Sequence, residues 1–356
     1  MFNILQIPAY FLFRHIGLPA MMPISFTFNL SYHCNSRCLT CNIWKKQTKE
    51  LTKEEWGTIF RSLGSAPYWT TITGGEPFLR QDLVEIVNDL YSQCRPRIIN
   101  LPTNGLLPEL VMSKVDKICT HCQGSKIIVN ISMDGTGEEY DRIRGVTNGF
   151  ESVKKTYQLL RGLKHSNLTI GIGTVISKFN IANIEQIYEF VMNTLKPDSY
   201  VTEIAEQRHE LDTLNADISP TPHEYAQAAD FLCKQLKKEK FHGLSRLIRA
   251  FRLEYYRLVK RLLLENKKII PCYSGFNSCL ITPDGEVWPC CIRPDSMGNL
   301  QKFNYNFKDL WFNRQAQEVR RKIKKEGCFC PLANAAYTNM LCHPLSWGRI
   351  LANTFI

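Results

Sequence analysis

The stretch ISFTFNLSYHCNSRCLTCNIW, residues 24–44, joins a strand-like run to three closely spaced cysteines, Cys34, Cys38 and Cys41. A structural zinc site normally has four ligands, often as two CxxC pairs, whereas this run offers three thiols at CxxxCxxC spacing. His33 is the alternative fourth ligand, although neighbouring residues of a strand point to opposite faces. An iron–sulfur cube held by three thiolates keeps one iron open to another molecule. The spacing therefore favours a metal centre with a free coordination position.

The composition is that of a globular protein, with 356 residues, 44% of them hydrophobic, and fourteen cysteines. Disulfide frameworks are typical of short secreted chains, so metal binding is the preferred explanation for the clustered cysteines. The scattered cysteines are expected to be buried small hydrophobes; they are Cys94, Cys119, Cys122 and Cys233. The first apolar stretch, residues 4–13, is interrupted by Pro8, is too short to span a bilayer and has no small-residue cleavage site. We expect a cytoplasmic protein.

Strand-like and helix-like segments alternate between about residues 24 and 204. The strand-like runs are ISFTFNLS, WTTIT, RIINLPT, KIIVNISM, LTIGIGTVIS and SYVTEI. Such alternation indicates parallel strands with right-handed helical crossovers. Six units predict an α/β fold, a partial (β/α)6 TIM-like barrel that is two units short of the closed form, followed by a small cysteine-rich auxiliary domain.

Distinctive residues follow the first four predicted strands. The cysteines follow the first strand, TGGEP (residues 73–77) the second, TNG (103–105) the third and SMDG (132–135) the fourth. In barrels of this kind, the loops at the carboxyl ends of the strands carry the chemistry. These residues are therefore expected on one rim. The charged run EIAEQRHE after the sixth strand is expected to be a solvated loop, with substrate contact as the alternative.

The CxxxCxxC loop and the GGEP loop together resemble the radical S-adenosylmethionine (radical SAM) superfamily over roughly residues 24–210. The resemblance implies that Cys34, Cys38 and Cys41 hold three irons of a [4Fe-4S] cluster, while SAM chelates the fourth. It also implies reductive cleavage of SAM to a 5'-deoxyadenosyl radical, which abstracts hydrogen from a substrate. An electron donor such as flavodoxin or ferredoxin is implied as a partner.

The same resemblance implies a set of SAM contacts. They are Gly74, Gly75, Glu76 and Pro77 at the methionine amine, Ser132 at the ribose, Arg144 at the carboxylate, and Val175 and Ile176 at the adenine. Glycines let backbone approach a ligand closely, and Glu76 or nearby carbonyls can accept from an ammonium group. Arg142 competes with Arg144 for the carboxylate. Many relatives have an aromatic residue where this chain has Thr40, which leaves adenine contacts at that point open.

Seven cysteines lie between residues 272 and 342, around a predicted hairpin TPDGEV and a predicted helix over about 307–325. This region resembles the SPASM or twitch auxiliary domain of radical SAM enzymes. The resemblance implies one auxiliary [4Fe-4S] cluster; its ligands would be Cys272, Cys290, Cys328 and Cys330, with Cys279, Cys291 and Cys342 as substitutes. Relatives usually end with CxxC, whereas this chain has CxC, so two clusters and a zinc ribbon are the alternatives.

Five segments follow from these patterns. They are an apolar and basic N-terminal segment (1–23), the radical SAM barrel (24–221), a basic amphipathic helical linker (222–270), the auxiliary cluster domain (271–345) and a C-terminal tail (346–356).

The net charge of +11 is concentrated, since residues 231–270 contain twelve Lys and Arg but three Glu, and the first acidic residue is Glu50. The N-terminal segment and a basic helix around 244–262 predict a surface for an anionic membrane and possible peripheral membrane association. The leading substrate hypothesis is a small or membrane-linked molecule. A peptide or an RNA is the alternative substrate, although the basic residues lack the interleaved aromatics that RNA binding favours. A non-catalytic iron–sulfur electron carrier or a zinc-binding protein is the alternative from another class.

Overall fold

The computed structural model describes residues 6–241, 243–326 and 329–354. Within these residues, nine strands form one sheet in the order β6-β5-β4-β3-β2-β1-β7-β8-β9. The strands are β1 (Ser25–Ser31), β2 (Trp69–Gly74), β3 (Ile98–Thr103), β4 (Lys126–Ser132), β5 (Leu168–Ile176), β6 (Ser199–Ile204), β7 (Ser278–Ile281), β8 (Glu286–Trp288) and β9 (Gly298–Asn299). Neighbours from β1 to β6 are parallel, which confirms the predicted partial barrel.

Helices follow the barrel strands and then dominate the C-terminal part. They are α1 (Ile7–Ile16), α2 (Lys53–Leu63), α3 (Leu83–Cys94), α4 (Pro108–His121), α5 (Gly137–Arg144), α6 (Gly149–Gly162), α7 (Ile184–Glu189), α8 (Pro222–Lys238), α9 (Leu244–Glu265), α10 (Phe307–Trp311), α11 (Arg314–Lys325), α12 (Ala333–Cys342) and α13 (Pro344–Thr354). A π-helical segment, Phe190–Leu195, continues α7. The single helix predicted over 307–325 is two helices, because Asn313 lies between them and its side chain caps α11 at the amide of Ala316.

The two faces of the barrel sheet differ in polarity. Ile127, Val129 and Ile131 of β4 are fully buried in the hydrophobic core, as the period of two requires. The residues between them are half-buried and face the barrel interior; Asn130 there donates to Asn100 Oδ1 at 2.8 Å. Closed barrels usually fill this interior with branched apolar side chains. The polar, partly accessible interior of this barrel suits a polar ligand instead.

The auxiliary region is joined directly to the barrel sheet. Strand β7 pairs in parallel with β1, with Phe26 opposite Cys279, and β8 pairs with β7 as the predicted antiparallel hairpin. The hairpin therefore extends the barrel sheet at its β1 edge, a connection that the sequence patterns did not indicate.

The N-terminal helix α1 packs against the auxiliary region. Phe13 is buried with its ring edge-on to Phe276, at a centroid distance of 5.4 Å. The Arg14 side chain is also buried, and its Nε donates to the Cys272 carbonyl at 2.7 Å. Much of the apolar character that suggested a membrane-facing segment therefore serves to hold α1 on the protein.

The basic helix α9 also has an intramolecular partner, because its apolar face packs against α8 and α13. Tyr255, Leu258 and Val259 are buried there. Several of its cations are paired, including Arg257 with Glu254; the other pairs are Lys260 with Asp230 and Arg261 with Glu265. The apolar face of the helix is therefore part of the core, and the predicted membrane-facing surface stays a prediction for its cationic face. In the described part of the chain, no helix is long and apolar enough to cross a bilayer.

Phe28 on β1 should be a main determinant of stability. Its fully buried ring meets the rings of Trp56 and Phe60 at 5.9 and 5.3 Å. Replacing Phe28 by Ala should lower the free energy of unfolding by about 3–5 kcal/mol, because a cavity is left in the core. Urea unfolding followed by circular dichroism would measure the loss. The control Leu110→Ala, on an exposed part of α4, should change it by less than about 0.5 kcal/mol; equal effects of the two substitutions would contradict the prediction.

Candidate cofactor-binding site

The three cysteines lie together in the loop that leaves β1. Each is partly buried, and the amide of Cys41 donates to the Cys38 carbonyl at 3.1 Å. Burial raises the pKa of the Cys34 thiol and raises that of Cys41 to about 12, and electrostatic interaction with Cys38 raises both further. Without a metal these thiols hold their protons at neutral pH, so metal binding would release protons.

The C-terminal end of α5 supports this loop. The Arg144 carbonyl accepts from the Ser36 hydroxyl at 2.7 Å and from the Arg37 amide at 3.0 Å. Gly145 comes so close that a Cβ there would lie 2.3 Å from the Arg37 carbonyl oxygen. The Arg37 guanidinium in turn stacks on the Trp44 ring at 4.3 Å. The cysteine loop is therefore fixed by backbone contacts from a distant part of the chain.

The glycines of the GGEP loop pack against the cysteine loop. The Gly75 amide donates to the Ser31 carbonyl and the Glu76 amide to the His33 carbonyl, both at 2.8 Å. A Cβ at Gly74 would lie 2.1 Å from the Ser31 oxygen, and one at Gly75 would lie 2.1 Å from the His33 oxygen. The close approach that we expected toward a ligand is thus an approach to the chain's own backbone.

The Glu76 carboxylate is buried and bonded within the protein. It accepts hydrogen bonds from the Thr103 hydroxyl at 2.9 Å, the Asn104 amide at 2.7 Å and the Phe78 amide at 3.2 Å. Burial raises its pKa to about 7, against the opposing effect of these hydrogen bonds. The carboxylate joins the loops after β2 and β3. Glu76 and nearby backbone carbonyls were the two expected acceptors for an ammonium group, and the carbonyls fit that role better. Pro77 is buried at the start of a short 3-10 turn.

Asn104 is a site residue to which the sequence analysis gave no role. Its side-chain amide donates to Asn35 Oδ1 at 2.7 Å and toward the Cys34 sulfur at 3.9 Å. The available signal was its position in TNG, directly after β3. Through Glu76 and Asn104, the loops after β1, β2 and β3 form one hydrogen-bonded unit.

Arg144 points into the site, whereas its competitor Arg142 is exposed and donates to the Phe179 carbonyl at 3.4 Å. Arg144 is buried and pairs with Asp134 at 2.7 Å. Its Nε is buried without a hydrogen-bond partner in the described structure, and its guanidinium interacts electrostatically with Cys38. Asp134, which the analysis of SMDG did not single out, also accepts from the Val175 amide at 2.8 Å. The pair leaves one donor of a buried guanidinium available beside the cysteines.

Ser132 and Val175 share the interior face of the barrel, because Ser132 lies opposite Gly173 and Val175 is two residues further along β5. Both side chains are half-buried. Ile176 is fully buried in the hydrophobic core, on the opposite face of the strand. Val175 and Ile176 therefore cannot both meet one ligand, and Ile176 is the member of the predicted pair that fails.

The charged loop after β6 is packed rather than solvated. Glu203 faces the interior opposite Val175, and Arg208 lies 3.6 Å from it with an 11% exposed side chain. Burial raises the pKa of Glu206 to about 7. His209 meets the ring of Trp288 in the auxiliary hairpin, edge-on at 5.5 Å. The prediction of a solvated loop is therefore wrong, because the auxiliary region covers this part of the rim.

The auxiliary cysteines fall into two groups. Cys272, Cys290 and Cys330 are partly accessible, and Cys272 and Cys330 line the same small cavity. Cys328, the fourth predicted ligand, lies outside the described residues. The chemistry and position of the accessible thiols fit an auxiliary cluster.

The three substitute ligands are buried in other environments. Cys279 is fully buried in β7, and Cys342 accepts from the Asn277 side-chain amide at 3.2 Å. Cys291 interacts electrostatically with Glu210, a residue of the barrel rim. Burial raises the pKa of all three thiols. Each of these thiols would have to move out of its buried environment to bind iron.

A single-ion zinc site is not formed by the residues that the structure describes, since no three His, Cys, Asp or Glu side chains converge closely enough for one metal ion. The donor set beside β1 instead suits a cluster. Three neighbouring thiols, the unpartnered nitrogen of Arg144 and a polar interior meet at one end of the barrel. These residues fit a [4Fe-4S] cluster with a polar cosubstrate.

Two family models match the chain. The radical SAM superfamily model matches residues 28–191, and the SPASM model, an iron–sulfur cluster-binding domain, matches residues 272–331. The first match includes Cys34, Cys38 and Cys41, and the second includes the auxiliary cysteines except Cys342.

Individual proteins are similar over most of the chain. Mycofactocin maturase MftC of Mycobacterium tuberculosis is 25% identical over 332 residues, which cover 87% of this chain and 75% of MftC. The subtilosin biosynthesis protein AlbA of Bacillus subtilis is 24% identical over 326 residues, covering 86% of this chain and 65% of AlbA. The crystal structure of Streptococcus suis SuiB bound to precursor peptide SuiA shares the fold, with a TM-score of 0.62 and 14% identity over 86% of this chain and 67% of SuiB. The chain is therefore an enzyme of the radical SAM superfamily that carries a SPASM domain, and its cofactors are a [4Fe-4S] cluster with SAM and auxiliary iron–sulfur chemistry.

Proposed function

We propose that this radical SAM enzyme modifies a peptide. The observation that carries the proposal is the similarity to MftC and AlbA, named for mycofactocin maturation and subtilosin biosynthesis, over 87% and 86% of the chain. The fold shared with SuiB, which was solved with a precursor peptide, is in agreement. The small-molecule or lipid-linked substrate that the composition favoured has less support.

In this proposal Cys34, Cys38 and Cys41 hold three irons of the cluster, and SAM occupies the fourth. When bound, the cluster would supply one electron to SAM, and the cleavage of SAM would yield a 5'-deoxyadenosyl radical. Arg144 binds the SAM carboxylate with the nitrogen that has no protein partner, while Asp134 keeps the guanidinium oriented. Buried donors of this kind are costly when unpaired, which favours a bound anion.

The remaining SAM contacts come from the barrel rim and interior. Backbone carbonyls near Gly74 and Gly75 accept from the amine, since the Glu76 carboxylate is engaged elsewhere. Ser132 reaches the ribose and Val175 the adenine, because both line the same face. Electrons come from a donor such as flavodoxin or ferredoxin, and the enzyme acts in the cytoplasm.

The auxiliary region holds one [4Fe-4S] cluster in this proposal. Cys272, Cys290 and Cys330 are three ligands, and Cys328 is the fourth. The burial of Cys279, Cys291 and Cys342, and the hydrogen bond that Cys342 accepts, support their exclusion. The cluster would take an electron from the substrate or bind it.

The proposed reaction has a direct test. The anaerobically reconstituted protein should form 5'-deoxyadenosine from SAM and dithionite, and the Cys38→Ala, Cys41→Ala double variant should form none above background. Short peptides encoded beside the gene should change in mass in the presence of the wild type and stimulate nucleoside formation. Stimulation by polyprenyl phosphates but by no peptide would overturn the peptide proposal, whereas absence of nucleoside from the loaded wild type would overturn the SAM roles.

Substitution of Arg144 should weaken SAM binding. Arg144→Lys keeps the charge beside Asp134 but loses the planar fork, so the Kd for SAM should rise about 10- to 100-fold. Equilibrium binding to reconstituted protein would measure it, with iron content as the check on the cluster. The matched control Arg142→Lys should leave the Kd within about threefold; similar effects of both variants would exclude the proposed contact.

Iron counts should separate the two groups of auxiliary cysteines. The wild type should bind about eight irons as two cubes, and Cys272→Ala about four. Cys342→Ala should still bind about eight, because that thiol serves the Asn277 contact. Iron and sulfide analysis with Mössbauer spectroscopy would make the count. About twelve irons in the wild type, or a lost cluster in Cys342→Ala, would favour a second auxiliary cluster or a different ligand set.

A further inference from the structure

Helix α13 exposes an apolar face to solvent. Its exposed residues are Pro344, Leu345, Gly348, Arg349, Leu351 and Ala352, of which Arg349 alone is charged. Leu345 is 79% exposed and Leu351 49%. The opposite side of the helix, with Ile350 and Ser346, is buried against the protein. Because surface helices normally turn polar residues outward, the fold does not account for this composition.

The last two residues of α1 and the segment after it reach the same corner of the molecule. Residues 15–20 are exposed, with Ile16 at 69% and Leu18 at 67%. Helices α1 and α13 both pack against α12, and His343, which directly precedes α13, interacts electrostatically with both His15 and Arg349. The exposed leucine at the start of α13 is two residues from His343. Two chain segments that are distant in sequence therefore present apolar side chains beside each other.

The start of α9 borders the other end of α13, since Arg249 contacts the Asn353 carbonyl at 3.5 Å. Ile248 is 59% exposed there, and Arg246 is exposed beside it. We define the terminal face as residues 15–20, Arg246, Ile248 and the exposed side of α13. It includes five of the large apolar side chains that the described structure exposes most: Ile16, Leu18, Ile248, Leu345 and Leu351.

The charges around the terminal face have one sign. Residues 6–20, 244–253 and 343–354 contain no Asp or Glu. Cations are contributed by Arg246, by Arg349 and by Lys324, whose ammonium donates to the His15 carbonyl at 3.4 Å. Glu254, which lies 3.9 Å from Arg349, is buried and bonded to Arg257. Exposed apolar side chains are thus bordered by positively charged groups, of which Arg349 is partly compensated by Glu254.

We propose that the terminal face docks on an anionic lipid surface. A symmetric contact with a second copy would bring Arg349 and Lys324 against the same cations, which is unfavourable. An anionic bilayer accepts the apolar side chains below its headgroups while the headgroups meet the cations. This inference does not depend on the substrate or on SAM cleavage.

Vesicle sedimentation tests the proposal with the full-length holoenzyme. Wild type should bind vesicles of phosphatidylcholine and phosphatidylglycerol, bind pure phosphatidylcholine at least about tenfold more weakly, and dissociate at high salt. The double variant Ile16→Glu, Leu345→Glu should bind the anionic vesicles at least about 100-fold more weakly, since each removed side chain is worth about tenfold. The control Leu110→Glu, on exposed α4, should bind as wild type does.

Circular dichroism and SAM cleavage of each variant show whether the fold and the active site are intact. Absence of wild-type binding to anionic vesicles would overturn the proposal. Equal binding by the double variant would also overturn it, because the contact would then lie elsewhere. If the wild type does not bind vesicles but self-associates at micromolar concentration, and the double variant does not self-associate, the terminal face contacts a second copy of the chain. Specific capture of an acidic protein by the terminal face would equally exclude the lipid assignment.

Discussion

The structure of the site depends on close backbone contact between the loops after β1 and β2. Two amide-to-carbonyl hydrogen bonds of 2.8 Å hold the loops together, and Gly74 and Gly75 approach so closely that no Cβ can be placed between them. Any larger residue would push the cysteine loop away from β2. Since three thiols must hold one cluster with fixed geometry, a displacement of that loop would affect all of them. The glycines therefore fix the position of the cysteine loop through the backbone.

The buried Glu76 carboxylate extends the same unit to a third loop. A carboxylate in a fully buried position is costly unless its oxygens are paired, and here three donors satisfy it. Two of those donors are Thr103, the last residue of β3, and Asn104 in the loop after it, and Asn104 then reaches the Cys34 region. The arrangement explains why distinctive residues occur after consecutive strands: each loop completes the hydrogen bonding of the previous one.

The barrel and the cysteine loop can be predicted from the sequence. The alternation of strands and helices is compatible with few chain topologies, and CxxxCxxC is a specific spacing. It is a poorer guide where tertiary packing decides. The choice of Arg144 over Arg142 depends on which side of α5 meets the cysteine loop. The exclusion of Ile176 depends on the register of β5, and the burial of Arg208 depends on the auxiliary region that covers it. Local patterns contain none of this information.

The relation between the two metal regions follows from the sheet. The cysteine loop leaves one end of β1, while β7 runs parallel to β1 along its free edge, and Cys291 after the hairpin interacts electrostatically with Glu210 on the barrel rim. Helix α1 adds a further tie, through Arg14 and the Cys272 carbonyl. The domain boundary near residue 270 stays a prediction. The hydrogen bonds between β1 and β7 join the parts of the chain on its two sides into one sheet. Because β-pairing and buried polar contacts resist relative motion far more than a linker does, the distance between the two iron centres is set by the fold.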